Sequence, residues 1–352
     1  MGPARRLPPA PASIEDPGGA PRYGTYQGAL DVVDLSRLRG AYQPNRLERL
    51  RMHKKWVYGF IATREVATLF AVVDVGYSSN AFVLALDFAS QRTMVDVGVL
   101  GPPRPLVTVN DHPGAGLEVN FRRPNGQRRF WRTFGDERFH GHVRVGLPIP
   151  VIKPKLELTW ELLAAGGPPP LTVVAPVDGG IVNMTQKWAG LLATGTLECD
   201  SRRYALDGGV GGLDYTHGYL ARKTAWRWAF LCGRLDDGTP LGLNLVEGFN
   251  EGRDDVNENA LWLGTELIPL GRARFTWDRN NLLAPWAVRT IDGAVDLRFK
   301  PFGMHQELRD LVLVKSSFNQ PVGVWEGELK VGDRTYVVKD APGVTEDQSV
   351  LW

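Results

Sequence analysis

Apolar and polar residues alternate along most of this chain. Between Lys54 and Phe60 the rings of Trp56, Tyr58 and Phe60 recur at every second position, which places them on one face of an extended strand. Residues 66–75 and 81–88 are nearly continuous apolar runs of strand length. Shorter strands are expected at 106–109, 117–121, 129–134 and 140–145, separated by Gly, Pro or Asn. Residues 156–163 (LELTWELL) read as a strand or a helical turn, ended by Gly166-Gly167-Pro168-Pro169-Pro170. The only helical signal is weak and lies at 35–51.

The densest mixture of aromatic, acidic, amide and Gly residues runs from Gly208 to Gly264. At period two, Trp226, Trp228 and Phe230 share one strand face and Arg227 and Ala229 the other. The Asp236-Asp237-Gly238 turn leads into a second strand, where Leu241, Leu243 and Leu245 alternate with Gly242, Asn244 and Val246. Glu247, Asn250 and Glu251 then form a polar loop, and Asn257-Glu258-Asn259 leads into Leu261-Trp262-Leu263. Amides and carboxylates beside large aromatics describe the wall of a β-lined pocket. Further strands are expected at 273–277, 286–290, 294–300, 308–314, 322–329 and 334–338, so the fold class is all-β with little helix.

Two stretches repeat one another. Trp56-x-Tyr58-x-Phe60 matches Trp226-x-Trp228-x-Phe230, and residues 71–76 then line up with 241–246, each followed by an Asn-containing loop and another apolar strand. Spacing preserved over two strands and a loop favours two related β-domains. The expected division is a Pro/Gly-rich tail at 1–25, an N-terminal β-domain at 26–185 and a C-terminal one at 186–352. A length of 352 residues agrees, because single cores stop growing at roughly 250–300 residues.

Composition narrows the functions. A net charge of +2 offers no field for nucleic acid or an anionic membrane. Arg122-Arg123 and Arg128-Arg129 flank a Pro-Asn-Gly turn and read as a solvated hairpin end. The two cysteines, Cys199 and Cys232, cannot form a disulfide scaffold or a zinc pattern. The first residues lack the apolar core of a secretory signal, and no window of about 18 apolar residues occurs, so the expected location is the cytoplasm. His140-Gly141-His142 could present two imidazoles to one ion, with His112 or Asp136 as a third ligand, but the spacing is unconvincing and no metal or other cofactor is expected. His305 and His53 read as surface or rim histidines. Gly208-Gly209-Val210-Gly211-Gly212 is not a phosphate loop, because no helix follows it.

Leu213-Asp214-Tyr215-Thr216-His217-Gly218, Lys223-Thr224-Ala225-Trp226-Arg227-Trp228, residues 241–245 and Asn257-Glu258-Asn259-Ala260-Leu261-Trp262 together resemble the domain-of-unknown-function family 2804. Residues 285–290, 295–302 and Gly343-Val344-Thr345-Glu346-Asp347 extend the likeness, which covers about Gln27 to Trp352. One departure shows: the family tends to have His after Glu-Asp, where this chain has Gln348. The family carries no reaction to transfer. Its architecture looks similar to lipocalin-like (calycin) two-barrel proteins that include carotenoid 1,2-hydratases and tocopherol cyclases. The resemblance therefore implies two lipocalin-like antiparallel β-barrel or sandwich domains, without fixing a function.

Hydration, cyclisation or isomerisation of an isoprenoid needs a proton donor in an apolar cavity and aromatic faces to stabilise a carbocation. Burial keeps a carboxyl protonated near neutrality. Asp214, Glu247 and Glu258 are the candidate acids; His217, Trp226, Trp228, Asn244, Asn257, Asn259 and Trp262 are the candidate ligand-binding residues. Each has a plain structural alternative: Asp214 and His217 in a capped Gly-rich turn, the tryptophans as strand-face core, Glu247 in a rim ion pair, and the Asn-Glu-Asn run as an ordinary loop. Three classes stay open. They are a protein that binds a hydrophobic small molecule without turnover, an enzyme acting on such a molecule, and a carbohydrate-active protein using Trp and paired carboxylates. The number of chains in an assembly is left open.

Overall fold

The computed structural model describes residues 6–102, 105–123, 126–133, 137–146, 155–249, 256–310 and 315–352. Phe134, Asp136, Asn250 and Glu251 of the sequence reading lie outside those residues. With 63% strand and 4% helix the chain is all-β, built as two curled antiparallel sheets, a near-barrel and a half-barrel.

Four hairpin-linked strands, His53–Ala62, Val66–Asp74, Ser79–Asp87 and Arg92–Gly101, form one meander of the first sheet. Five more, from Val107–Val109 to Leu156–Leu163, form the other. Two later strands join the meanders: Gly209–Tyr219 pairs with His53–Ala62 on one side and with Val182–Cys199 on the other, and Val182–Cys199 pairs with Leu156–Leu163. The second sheet has nine strands. Lys223–Arg234 pairs with Pro240–Glu247 and Arg334–Leu351, and the long strands Lys315–Val331 and Val295–Asp310 follow outward. Residues 24–219 thus supply the first sheet and 223–351 the second, with the Val182–Cys199 strand running across the expected division at 185/186.

Periodicity explains the local choices. In Leu156–Leu163 the residues Leu156, Leu158, Trp160 and Leu162 are buried and Glu157 and Thr159 exposed, which selects the strand over the helical turn. Gly141 lies opposite Trp160 in the ladder, and the indole fills the space that a Cβ would need. The helical signal becomes two short 3-10 turns and the helix Arg46–Met52, started by a capping box between Asn45 and Glu48.

Three apolar layers result. One fills the near-barrel, with Phe70, Phe130 and Trp160 packed together. A second lies between the two sheets, and a third lines the far face of the half-barrel. Val66–Asp74 reads as a continuous apolar run because Phe70 and Val72 face the first layer while Leu69 and Ala71 face the second. Glycines permit the close approach: Phe230 packs where a Cβ on Gly212 would sit, and Gly190, at φ +75°, brings the backbone against Gly242.

Two histidine and arginine readings change. Arg122 and Arg129 are exposed, but Arg128 shares the inward face with Phe130 and is wholly buried, so it is not part of a solvated end. Its guanidinium nitrogens find no hydrogen-bond partner among the described residues, and burial pulls its pKa down to about 10. His305 is buried rather than on the rim, with Nδ1 2.5 Å from Asp96 of the first sheet and Nε2 3.6 Å from Glu307. His140 and His142 each face a carboxylate on the neighbouring strand, Glu161 at 3.2 Å and Glu157 at 3.0 Å. Among the described residues no helix is long and apolar enough to cross a membrane.

Candidate functional site

A cavity of about 180 Å³ lies between the two sheets, at one end of the layer they share. Strand alternation decides who reaches it. On Gly209–Tyr219, Asp214 and Thr216 line the cavity, while Tyr215 and Leu213 turn into the near-barrel. On Lys223–Arg234, Trp226 and Trp228 line it, while Ala229 and Leu231 turn to the far face. Trp56, Tyr58, Phe82 and Phe318 complete an aromatic wall drawn from both sheets.

A charged cluster adjoins this wall, with the Lys187 ammonium 5.7 Å over the Trp228 ring. Lys187, adjacent to Asp214 in the ladder, places its ammonium 3.0 Å from Asp214 and 3.4 Å from Glu258. Asp214 also accepts from Thr185 at 3.0 Å. Burial pulls the Lys187 ammonium down, but the two carboxylates outweigh it and leave its pKa raised. Burial raises the Glu258 carboxyl, with Lys187 working against it and Asp214 adding repulsion. Two carboxylates flanking one ammonium make a charge-paired triad, unlike the facing carboxyl pair that glycoside hydrolysis uses.

Glu346, on Arg334–Leu351, is the third buried carboxyl of the cavity lining. Trp226 Nε1 donates to it at 2.6 Å and Gln320 Nε2 at 2.7 Å. Burial pushes Glu346 up to about 7, although both hydrogen bonds oppose the rise. Gln348, two residues on and therefore on the same strand face, also lines the cavity. The position where the sequence departs from the family tendency is thus a lining position.

The expected residues divide. Asp214, Glu258, Trp226 and Trp228 meet at the cavity. Asn244 stands behind it, accepting from Trp228 Nε1 at 2.7 Å and donating to the Glu258 carbonyl at 2.7 Å. Asn257 and Asn259 brace the neighbouring backbone: Asn259 accepts from Val246 N at 2.7 Å, and Asn257 accepts from Asn259 N at 2.8 Å. Glu247 accepts from Phe275 N at 3.1 Å and lies 3.5 Å from Arg274, away from the cavity. Trp262 is wholly buried and donates to the Pro169 carbonyl at 2.9 Å. His217 faces the near-barrel, its Nε2 2.8 Å from His53 Nε2, and burial, then Lys55 and His53, push its pKa well below the ordinary value.

Sequence reasoning missed Glu346, Lys187 and Tyr58 as site residues. A signal existed for Glu346: a carboxylate two residues after Val344 falls on that residue's strand face. Lys187 sits in an amphipathic run and showed none.

The search of curated proteins returned no match. Among solved structures, CghA with Sch210972 is 15% identical, covering 93% of this chain and 98% of that one at a TM-score of 0.51. A second structure, of CghA, gives 13% identity with the same coverages and TM-score. Kievitone hydratase from Nectria haematococca is 13% identical over 95% of this chain and 97% of that one, at a TM-score of 0.45. The likeness to CghA is one of fold. The model of the family described as domain of unknown function (DUF2804) matches residues 9–352, and the chain belongs to that family.

Proposed function

We propose that the cavity between the sheets binds a hydrophobic small molecule of isoprenoid or related character and that Glu346 protonates it. The observation that carries this reading is a buried carboxyl, pushed up to about 7, set in a wall of Trp56, Tyr58, Trp226 and Trp228. Near neutrality such a group keeps a proton available for transfer. In the step, the alkene π pair takes the Glu346 proton to form a C–H bond. The adjacent carbon becomes cationic beside the indole faces and the Lys187–Asp214–Glu258 triad. Attack by water gives hydration and attack by an internal hydroxyl gives cyclisation, the oxonium proton in each case returning to the Glu346 carboxylate; loss of a neighbouring carbon proton to the same carboxylate gives isomerisation. Each course leaves Glu346 protonated again, and its acid proton exchanges with solvent between turnovers.

Glu258 is held by Lys187 and Asp214 by Thr185, which makes them stabilisers of charge rather than proton donors in this reading. Native mass spectrometry of protein from its own host, followed by organic extraction, supplies the ligand. Incubated in deuterated water, the wild-type protein should place one deuterium on carbon in the product, and Glu346→Gln should not. A bound ligand recovered unchanged with the wild-type protein would leave a binding protein without turnover.

A further inference from the structure

The carboxyl, ammonium and guanidinium groups that line the cavity all have partners within the protein. Lys187 lies between Asp214 and Glu258, Arg309 lies 2.6 Å from Glu307, and Glu346 accepts from Trp226 and Gln320. What remains without a partner is neutral. Among the described residues, the Tyr58 and Tyr77 hydroxyls and the side-chain oxygens of Asn80, Asn183 and Gln348 line the cavity with no hydrogen bond. Tyr77 and Asn80 are partly exposed residues. A terminal amide can turn over and exchange its oxygen for its nitrogen, so Asn183 and Gln348 adapt to a guest of either kind. Tyr58, 4% exposed, has no such freedom.

Strand register places Tyr58 beside the acid. A row of laddered residues on the first sheet runs Phe82, Ala71, Tyr58, Asp214, Lys187. On the second sheet Trp228 is laddered to Glu346, and Gln320, a donor to Glu346, is laddered to His305. Two ring contacts align the rows: Tyr58 meets Trp228 edge-on at 5.0 Å, and Phe82 stacks on His305 at 4.3 Å. Glu346 and Gln320 therefore lie opposite Ala71, the small residue between Tyr58 and Phe82. The carboxyls on either side of the phenol are engaged, Asp214 by Thr185 and Lys187 and Glu346 by Trp226 and Gln320. Burial, then Glu346, push the Tyr58 pKa well above its ordinary value, so the hydroxyl keeps its proton. Conjugation with the ring makes a phenol a better donor than acceptor, and a buried donor left without a partner is costly.

We propose that Tyr58 determines specificity: its hydroxyl donates to an oxygen of the guest, which is an apolar molecule carrying a hydroxyl, carbonyl or ether oxygen rather than a pure hydrocarbon. This rests on the reading of the cavity as a small-molecule site, and it names the substrate class and the group that selects it. Anchored at Tyr58, that oxygen fixes which double bond of the guest meets Glu346.

The test uses the full chain and three probes with one terpene skeleton, farnesol, farnesyl methyl ether and farnesene, measured by equilibrium dialysis. The alcohol and the ether, which share an acceptor oxygen, should each bind about tenfold more tightly than the hydrocarbon, the worth of one buried hydrogen bond. In Tyr58→Phe both ratios should fall below about threefold, while the melting temperature of the free protein holds or rises, because the lost hydroxyl had no protein partner. The ratio cancels any general loosening of the pocket, which weakens all three probes alike. Ratios unchanged in the variant, an ether that binds no better than farnesene, or a lowered melting temperature overturns the proposal while leaving the cavity reading intact. No binding of any probe overturns the cavity reading and this inference with it.

Discussion

The two aromatic strands that resemble each other in sequence meet face to face in space. Trp56 stacks on Trp226 at 6.1 Å and 9°, Tyr58 meets Trp228 edge-on at 5.0 Å, and Phe60 meets Phe230 edge-on at 6.3 Å. The same spacing therefore forms both a seal and a cavity wall. At the Phe60/Phe230 end both rings are wholly buried. At the Trp56/Trp226 end the rings are half-buried and border the cavity. The difference lies in polar handles and in what lies opposite. Trp228 and Trp226 each have an N–H to satisfy, and they find Asn244 and Glu346. Phe230 has none and packs on backbone at Gly212.

Truncation along one strand should expose this gradient. Phe230→Ala should cost about 3–5 kcal/mol in denaturant unfolding, Trp228→Ala about 2–3 because one side already faces open space, and Trp226→Ala under about 1. Equal costs at all three positions would make the strand ordinary core and dissolve the contrast.

Next in size is the clasp between the sheets that carry the two strands. Burial pulls His305 down, but Asp96 and Glu307 more than reverse it and raise the imidazole to about 9. Its charged form contributes stability in full below its ordinary value near 6.5, and this is lost as pH rises through about 9, a decline of about 3 kcal/mol. Unfolding followed from pH 6 to 10 in wild type and in His305→Phe checks it: the variant should lack that part of the slope.

Smaller again is Glu258→Gln. It keeps the shape but leaves Lys187 with Asp214 alone, so a loss of about 1–2 kcal/mol is expected in thermal unfolding. An unchanged melting temperature would free Glu258 from its structural pairing and return it to the list of proton donors.

Much of this arrangement was legible in the chain. Alternation at Trp226-Trp228-Phe230 and at Leu241-Leu243-Leu245 assigns each residue to a face, because a strand's side-chain period is two and purely local. The same rule separates Asp214 from Tyr215 and couples Glu346 to Gln348. All-β architecture and the paired aromatic motifs follow from such local regularities. What period cannot supply is the neighbour across the gap. Glu346 meets Trp226 from 120 residues away, and Lys187 reaches Glu258 from the other sheet. Glu247, a carboxylate of the same kind eleven residues before Glu258, is spent on Phe275 and Arg274. Sequence determined which face each side chain occupies; only the packing of one sheet on the other decided which carboxyls are buried, which are paired and which are pushed up by burial, because burial and charge pairing are properties of the surroundings and not of the residue.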